Sequence, residues 1–244
     1  MRVLVTRPEP DASLTKAALE AAGIEAIVSP LMTISFEPVE DLGPGHVQAI
    51  IVTSRNAVRS LAKSPVLQGL INLPVFAVGP RSARDAHDLG FHGVMEGPGT
   101  ASELPDLIFS HSDPAGGKLV HFAGYKLAFD LEGALKERGF QVQTERCYHA
   151  QSAEQFMPAA EDALRSGQID AVVLMSPEAS RTYARLIGSS GLEAKAADVA
   201  CICISKSTAD ALEPFKPKSV NVAERANLEE VLALVNRMAE QSRS

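Results

Sequence analysis

The feature that most constrains this chain is that it spells out one pattern twice. RVLVTRPEPDASLTKAALEAAGIEAIV lines up with KLVHFAGYKLAFDLEGALKERGFQVQT. Each reads as a strand-like run, a loop, an amphipathic stretch, a Gly, a hydrophobic residue and a second strand-like run. QAIIVTSRNAVRSL matches DAVVLMSPEASRTY, which sets Ser54 opposite Ser176, and PVFAVGPRSARDAHDLGF matches VACICISKSTADALEPF. Three matches at a nearly constant offset point to two homologous units.

Within each unit, short β-branched runs alternate with helical periodicity. Residues 2–6, 25–28, 49–53, 75–78, 118–122, 171–175, 199–204 and 220–222 read as strands. The first helix is expected over 11–22, with Leu14, Ala17, Ala18 and Ala21 on one face and Gly23 as its left-handed stop. Later helices end near Gly90 and at Gly139. Strands that are almost wholly apolar imply parallel sheets covered on both faces, so the fold class is α/β, with two similar parallel-sheet domains. Two stretches break the alternation: residues 29–38, with Pro near both ends, and residues 145–152 around Cys147-Tyr148-His149. Two such crossings make a double hinge and a discontinuous domain. We expect 1–35 and 150–244 to form one domain, with 37–149 inserted as the other.

Charge excludes whole classes of partner. The 244 residues carry 23 Lys and Arg against 30 Asp and Glu, a net of −7. No general attraction to nucleic acid or anionic lipid follows from that balance. No apolar run approaches the length of a membrane helix, and residues 3–5 are too short and wrongly flanked for a signal peptide, so a cytoplasmic protein is expected. Cys147, Cys201 and Cys203 read as reduced core cysteines, because the CxC pair lacks the second pair a zinc site needs. No metal site is expected.

Standard catalytic signatures are missing: there is no GxGxxG after a strand, no GxxxxGK[ST] and no GxSxG. The six histidines form no HxxxH or HExxH. His121, inside an apolar strand, reads as a structural residue of the core or sheet end. What recurs is small or hydroxyl residues where strands hand over to helices: Thr53-Ser54, Gly79-Pro80-Arg81-Ser82, Gly124-Tyr125-Lys126, Ser176-Pro177 and Ser205-Lys206-Ser207-Thr208. In open α/β sheets ligands bind outside those strand ends, where the first helical N–H groups attract anions. Plain helix capping explains any one of these loops. Five of them favour a shared cleft, to which Arg7 and Lys126 add positive charge. Tyr148, in a link between the units, is either a hydrogen-bond donor and weak acid toward that cleft or a residue packed against the hinge.

With these residues in view, the chain resembles the uroporphyrinogen-III synthase family. LVTRP, the Gly23 and Pro30 region, IIVTSRNAV, FAVGPRSA followed by LGF, GTASEL, ERCYHA, VVLMSPEAS and STADAL carry the likeness in order along nearly the whole length. The resemblance implies two α/β domains joined by a two-stranded linker, with the active site in the cleft between them. It also implies a monomer that converts hydroxymethylbilane, a linear tetrapyrrole with eight carboxylates, to uroporphyrinogen III with ring D inverted, without metal or cofactor. The implied course is loss of the terminal hydroxyl to an azafulvene cation, a spiro intermediate, then rearrangement and closure.

On the matching positions, Tyr148 assists departure of the hydroxyl, while Thr53, Ser54, Ser176 and Thr208 meet the substrate. Gly79, Ser82, Gly124, Lys126, Pro177, Ser207 and Arg7 complete the expected binding set. Two departures stand out: Ser205-Lys206 replaces the family's Gly-Pro, and the Arg usual shortly after Gly124 is absent. The rival readings are a non-catalytic two-domain binding protein for small anions or tetrapyrroles, and a transferase on paired Rossmann-like units. The first predicts binding without conversion. The second requires an acidic metal motif or phosphate loop that the chain lacks.

Overall fold

The computed structural model describes residues 1–213 and 215–241. The chain opens with β1 (Arg2–Val5), α1 (Asp11–Ala21) and β2 (Glu25–Val28), then continues through β3 (Met32–Phe36), β4 (Val47–Val52), α2 (Arg55–Leu61), α3 (Leu67–Leu70), β5 (Val75–Ala77), α4 (Pro80–Asp88) and β6 (Val94–Glu96). Next come α5 (Leu104–His111), β7 (Lys118–Gly124), α6 (Leu131–Lys136), β8 (Gln141–Ser152), α7 (Pro158–Arg165), β9 (Ala171–Leu174) and α8 (Pro177–Ser189). The chain then runs through α9 (Glu193–Ala196), β10 (Ala200–Cys203), α10 (Lys206–Asp210), β11 (Val220–Val222) and α11 (Leu228–Gln241). It divides into a first unit, Met1–Thr33 with the chain from Gln151 onward, and a second unit, Ile34–Ala150.

Each unit is built on one sheet. In the first the order is β2-β1-β9-β10-β11, and in the second it is β8-β7-β4-β5-β6 with β3 added beyond β8. The paired strands β2-β1-β9-β10-β11 and β8-β7-β4-β5-β6 are parallel throughout. The two orders are the same once β1-β2 is matched with β7-β8 and β9-β10-β11 with β4-β5-β6. That is the correspondence the internal repeat requires, with the βαβ pair leading in one unit and trailing in the other.

Period-two alternation sorts each strand onto two buried faces. In the first unit Leu4, Val172, Leu174, Cys201 and Cys203 pack beneath α7, α8 and α9, while Val3, Val5, Ala171, Val173 and Ile202 pack beneath α1 and α11. In the second, Ile50, Val52, Val120 and Phe122 face α2 and α4, and Ala49, Ile51, Phe76 and Leu119 face α5 and α6. Each fully buried Val, Leu, Ile or Phe contributes about 1.5–3 kcal/mol relative to exposure. Gly23, Gly90 and Gly139 all hold positive φ where their helices stop, as the sequence predicts.

The face of α1 differs from expectation. Asp11, Ala12, Thr15 and Leu19 are buried, and Leu14 is exposed. The helix is clasped at its start: Arg7 pairs with Asp11 at 2.9 Å and donates to Thr15 Oγ1 at 3.1 Å, while Thr15 donates to the Asp11 carbonyl at 2.8 Å. That polar clasp turns the helix so that Ala12 and Leu19 face the sheet. A face chosen by counting Ala residues misses it. No helix among the described residues is long and apolar enough to cross a membrane.

Candidate functional site

The second unit's chain runs from β4 outward to β5 and β6, then returns to the other side of β4 as β7 and continues to β8. The order therefore reverses between β4 and β7, and such a reversal opens a crevice beyond the carboxyl ends of the strands. Thr53 and Ser54 leave β4 at that crevice. Ser54 is extended (φ −157°, ψ 157°), and its Oγ accepts from the Ala57 N–H at 3.1 Å, capping α2. With its one proton the same hydroxyl donates to Tyr148 Oη at 2.9 Å.

Tyr148 reaches this point because β8 slips in register against β7 between Ala123 and Gly124, so that Gly124 stands opposite Tyr148. A Cβ on Gly124 would lie 2.6 Å from Tyr148 Cζ and 2.9 Å from its Oη. The ring occupies the space a side chain would need, and only Gly leaves it. Arg146, on the same strand, donates to the Gly124 carbonyl at 2.8 Å. Where the family's usual Arg after Gly124 is missing, a guanidinium thus reaches this turn from the neighbouring strand.

A cavity of about 350 Å³ opens here, lined by Thr53, His121, Gly124, Lys126 and Tyr148, with Thr100 on the far wall. Gly97 and Gly99 bring that wall in, donating to the Ala77 and Val78 carbonyls at 2.7 and 2.8 Å. His121 is 1% exposed, and its Nε2 lies 3.0 Å from Thr53 Oγ1. Burial, reinforced by Arg146, lowers its pKa to about 4, so the imidazole is neutral near pH 7. Burial likewise raises the Tyr148 phenol above its ordinary value, partly offset by the Ser54 hydrogen bond. Tyr148 is therefore a protonated phenol. Its oxygen accepts from Ser54, which leaves its own proton available.

Of the expected site residues, the cavity gathers Thr53, Gly124, Lys126 and Tyr148, with Ser54 directly behind them. Gly79 caps α4 in an extended conformation, with Pro80 at the first helical position, and Ser82 is buried on that helix. Neither lines the cavity. In the first unit, Ser176 caps α8, accepting from the Ala179 N–H at 3.2 Å, and Pro177 opens that helix. Ser207 is exposed, its Oγ 3.0 Å from Ser205 Oγ. Thr208 is fully buried and its Oγ1 meets Ser205 Oγ at 2.9 Å, so its hydroxyl serves the Ser205 cap. Arg7 is not an open cation: it is engaged with Asp11 and Thr15.

His121 lies in the core of the sheet, where its sequence reading as a structural residue puts it. It is buried, as a core histidine is, but it also lines the cavity and touches Thr53. The repeat carried the signal, since its counterpart in the other unit is Val5. The three cysteines are buried and free. Burial raises Cys147 to about 11 and Cys203 to about 12, and moves Cys201 in the same direction, so none is a thiolate near neutrality. No group of three or more His, Cys, Asp or Glu among the described residues is placed to hold a metal.

Two units on one repeated parallel topology, with a hydroxyl-lined cavity where the sheet of one unit reverses order, define a duplicated α/β protein with a candidate site at its strand ends. The family model for uroporphyrinogen-III synthase HemD matches residues 13–233. The chain belongs to the uroporphyrinogen-III synthase family, enzymes of the cyclising lyase type in porphyrin and heme biosynthesis.

Among solved structures it is similar to a uroporphyrinogen-III synthetase from Helicobacter pylori, with 19% identity, 98% of this chain and 100% of that chain covered, and a TM-score of 0.63. It is also similar to a mutant uroporphyrinogen III synthase from the extremely thermophilic bacterium Thermus thermophilus, with 22% identity, 99% of both chains covered and a TM-score of 0.57. At such identities these likenesses speak to the fold. No curated protein matches the chain.

Proposed function

We propose that the chain closes hydroxymethylbilane to uroporphyrinogen III with inversion of ring D, and that the cavity of the second unit receives the tetrapyrrole with Tyr148 facing the departing hydroxyl. The observation that carries this reading is the direction of one hydrogen bond: Ser54 donates to Tyr148 Oη at 2.9 Å, so the phenol proton is left to donate. As the carbon–oxygen bond of the hydroxymethyl group breaks, that proton accompanies the oxygen and water leaves. The remaining azafulvene cation is attacked by a pyrrole carbon, and the proton released as the ring rearomatises returns to the phenolate.

A phenol is a weak acid, and this reaction needs no stronger one, because the electron-rich pyrrole itself expels the hydroxyl. The demand on the protein is positional. Holding the uninverted isomer to about one per cent requires about 2.7 kcal/mol between two paths, at about 1.36 kcal/mol per tenfold. A few oriented hydrogen bonds of about 1 kcal/mol each supply that. In this reading Lys126 meets one substrate carboxylate at the cavity mouth. The reaction runs on a single chain, in the cytoplasm, without a nucleic-acid partner.

The test is to supply hydroxymethylbilane to the purified protein and to its Tyr148→Phe variant and to resolve the product isomers. Isomer III from the wild type, formed about tenfold more slowly by a folded Tyr148→Phe protein, supports the reading. Isomer I alone from the wild type, or an unchanged rate in the variant, removes it.

A further inference from the structure

Of the hydroxyls that line the second unit's cavity, those of Thr53 and Tyr148 each have a neighbour that decides which way the proton points. For Tyr148 that neighbour is Ser54. For Thr53 it is His121, whose Nε2 lies 3.0 Å from Thr53 Oγ1. One hydrogen is shared across that distance, and either atom can own it. The other ring nitrogen decides the matter. His121 Nδ1 is buried and has no hydrogen-bond partner among the described residues. A buried N–H without an acceptor is rarer and costlier than a buried lone pair without a donor. The proton therefore sits on Nε2 and is donated to Thr53, whose own hydroxyl proton is turned away from the ring.

The repeat supplies an independent observation. His121 pairs with Ile51 across β7 and β4 as Val5 pairs with Val173 across β1 and β9. The sequence match then sets Met175 opposite Thr53. The first unit builds the same corner of the same sheet from Val and Met, so the fold does not require a histidine or a hydroxyl there. The second unit keeps a buried imidazole with an orphaned nitrogen at that corner, and it does so at the wall of a cavity.

We propose that His121 is a positioning residue: its Nε2–H donates to Thr53 Oγ1 and makes the Thr53 hydroxyl an obligate donor that grips one carboxylate of the substrate beside the Tyr148 phenol. This role rests on the cavity being the substrate site. Val at 121 leaves Thr53 free to rotate and to act as an acceptor, which repels a carboxylate instead of holding it.

Nitrogen-15 NMR of the free protein, labelled in histidine and assigned through the signals lost in His121→Val, reads the tautomer without any substrate. Protonation at Nε2 with a bare Nδ1 is the expected result, and protonation at Nδ1 overturns the role. In steady-state kinetics, folded His121→Val is expected to raise KM about tenfold with kcat within about twofold, the loss of one hydrogen bond to a charged group. His121→Gln, whose amide N–H reaches toward Thr53, restores most of it. Thr53→Val raises KM by a similar factor, and His121→Val adds nothing on top of it. A wild-type KM in folded His121→Val, or full additivity of the two changes, overturns the proposal. A wild-type KM in folded Thr53→Val removes the cavity as the substrate site and this role with it, whereas an Nδ1–H tautomer sinks the role of His121 and leaves that site standing.

Discussion

The same strand junction occurs twice in this molecule and is finished in two different ways. In the first unit the order reverses between β1 and β9, and the polar side chains at that corner are engaged within the unit. Thr6, fully buried, donates to the Val173 carbonyl at 2.6 Å, Arg7 turns back to Asp11 and Thr15, and Val5 and Met175 hold the positions that match His121 and Thr53. In the second unit the reversal between β4 and β7 is open. His121 and Thr53 replace the apolar pair, Gly124 clears the space above the strand, and Tyr148 enters it. One topology thus carries an internally hydrogen-bonded corner in one copy and a polar cavity in the other. The difference lies in a few side chains and not in the architecture, which explains why a fold alone does not locate the site.

This contrast can be broken most forcefully through acid. The His121 pKa is lowered from 6.5 to about 4 in the folded protein. The unfolded chain therefore binds the extra proton first, and His121 contributes its stability fully above pH 6.5 and loses it as pH falls through about 4. A loss of about 3 kcal/mol over that window is expected in wild-type denaturation curves, at about 1.36 kcal/mol per unit. In His121→Val, which copies the other unit's corner, that acid-linked loss is expected to shrink by the same amount. An unchanged pH slope would show that His121 is not held neutral.

Gly124→Val comes next. Its Cβ would meet the Tyr148 ring at 2.6 Å, and moving the ring by about 1 Å is expected to cost about 100-fold in kcat/KM. Circular dichroism separates that loss from unfolding. The smallest change sharpens the contrast from the other side. Thr6→Val in the first unit's corner removes a buried hydrogen bond, costs about 1 kcal/mol in urea denaturation, and leaves kcat and KM unchanged. A kinetic effect of Thr6→Val would mean that both corners act on the substrate.

Much of this architecture is legible in the residues. Apolar strands, Gly stops and the repeat lead to paired parallel sheets, because burial on both faces and positive φ each leave a local mark in sequence. β6 leaves almost none: Val94–Glu96 is three residues long, lies at a sheet edge and is half exposed, so it needs no apolar run. The rotation of α1 was hidden for another reason, since it is set by the tertiary clasp of Arg7, Asp11 and Thr15 and not by hydrophobic periodicity. At the cavity, Thr53, Gly124, Lys126 and Tyr148 are readable as strand-end residues. His121 was not, because a lone histidine in a strand carries no motif. The register against Val5 gives it meaning, and the internal repeat supplies that register. Thr208 and Arg7 show the converse, as residues with site-like chemistry that their own unit has already engaged.

The most direct test is a crystal structure of the protein with uroporphyrinogen III bound. The tetrapyrrole is expected in the second unit's cavity, with one carboxylate accepting from Thr53 Oγ1 and a pyrrole ring against Tyr148. A complex in which the macrocycle leaves Thr53 and Tyr148 untouched would contradict the assignment of function to the open corner.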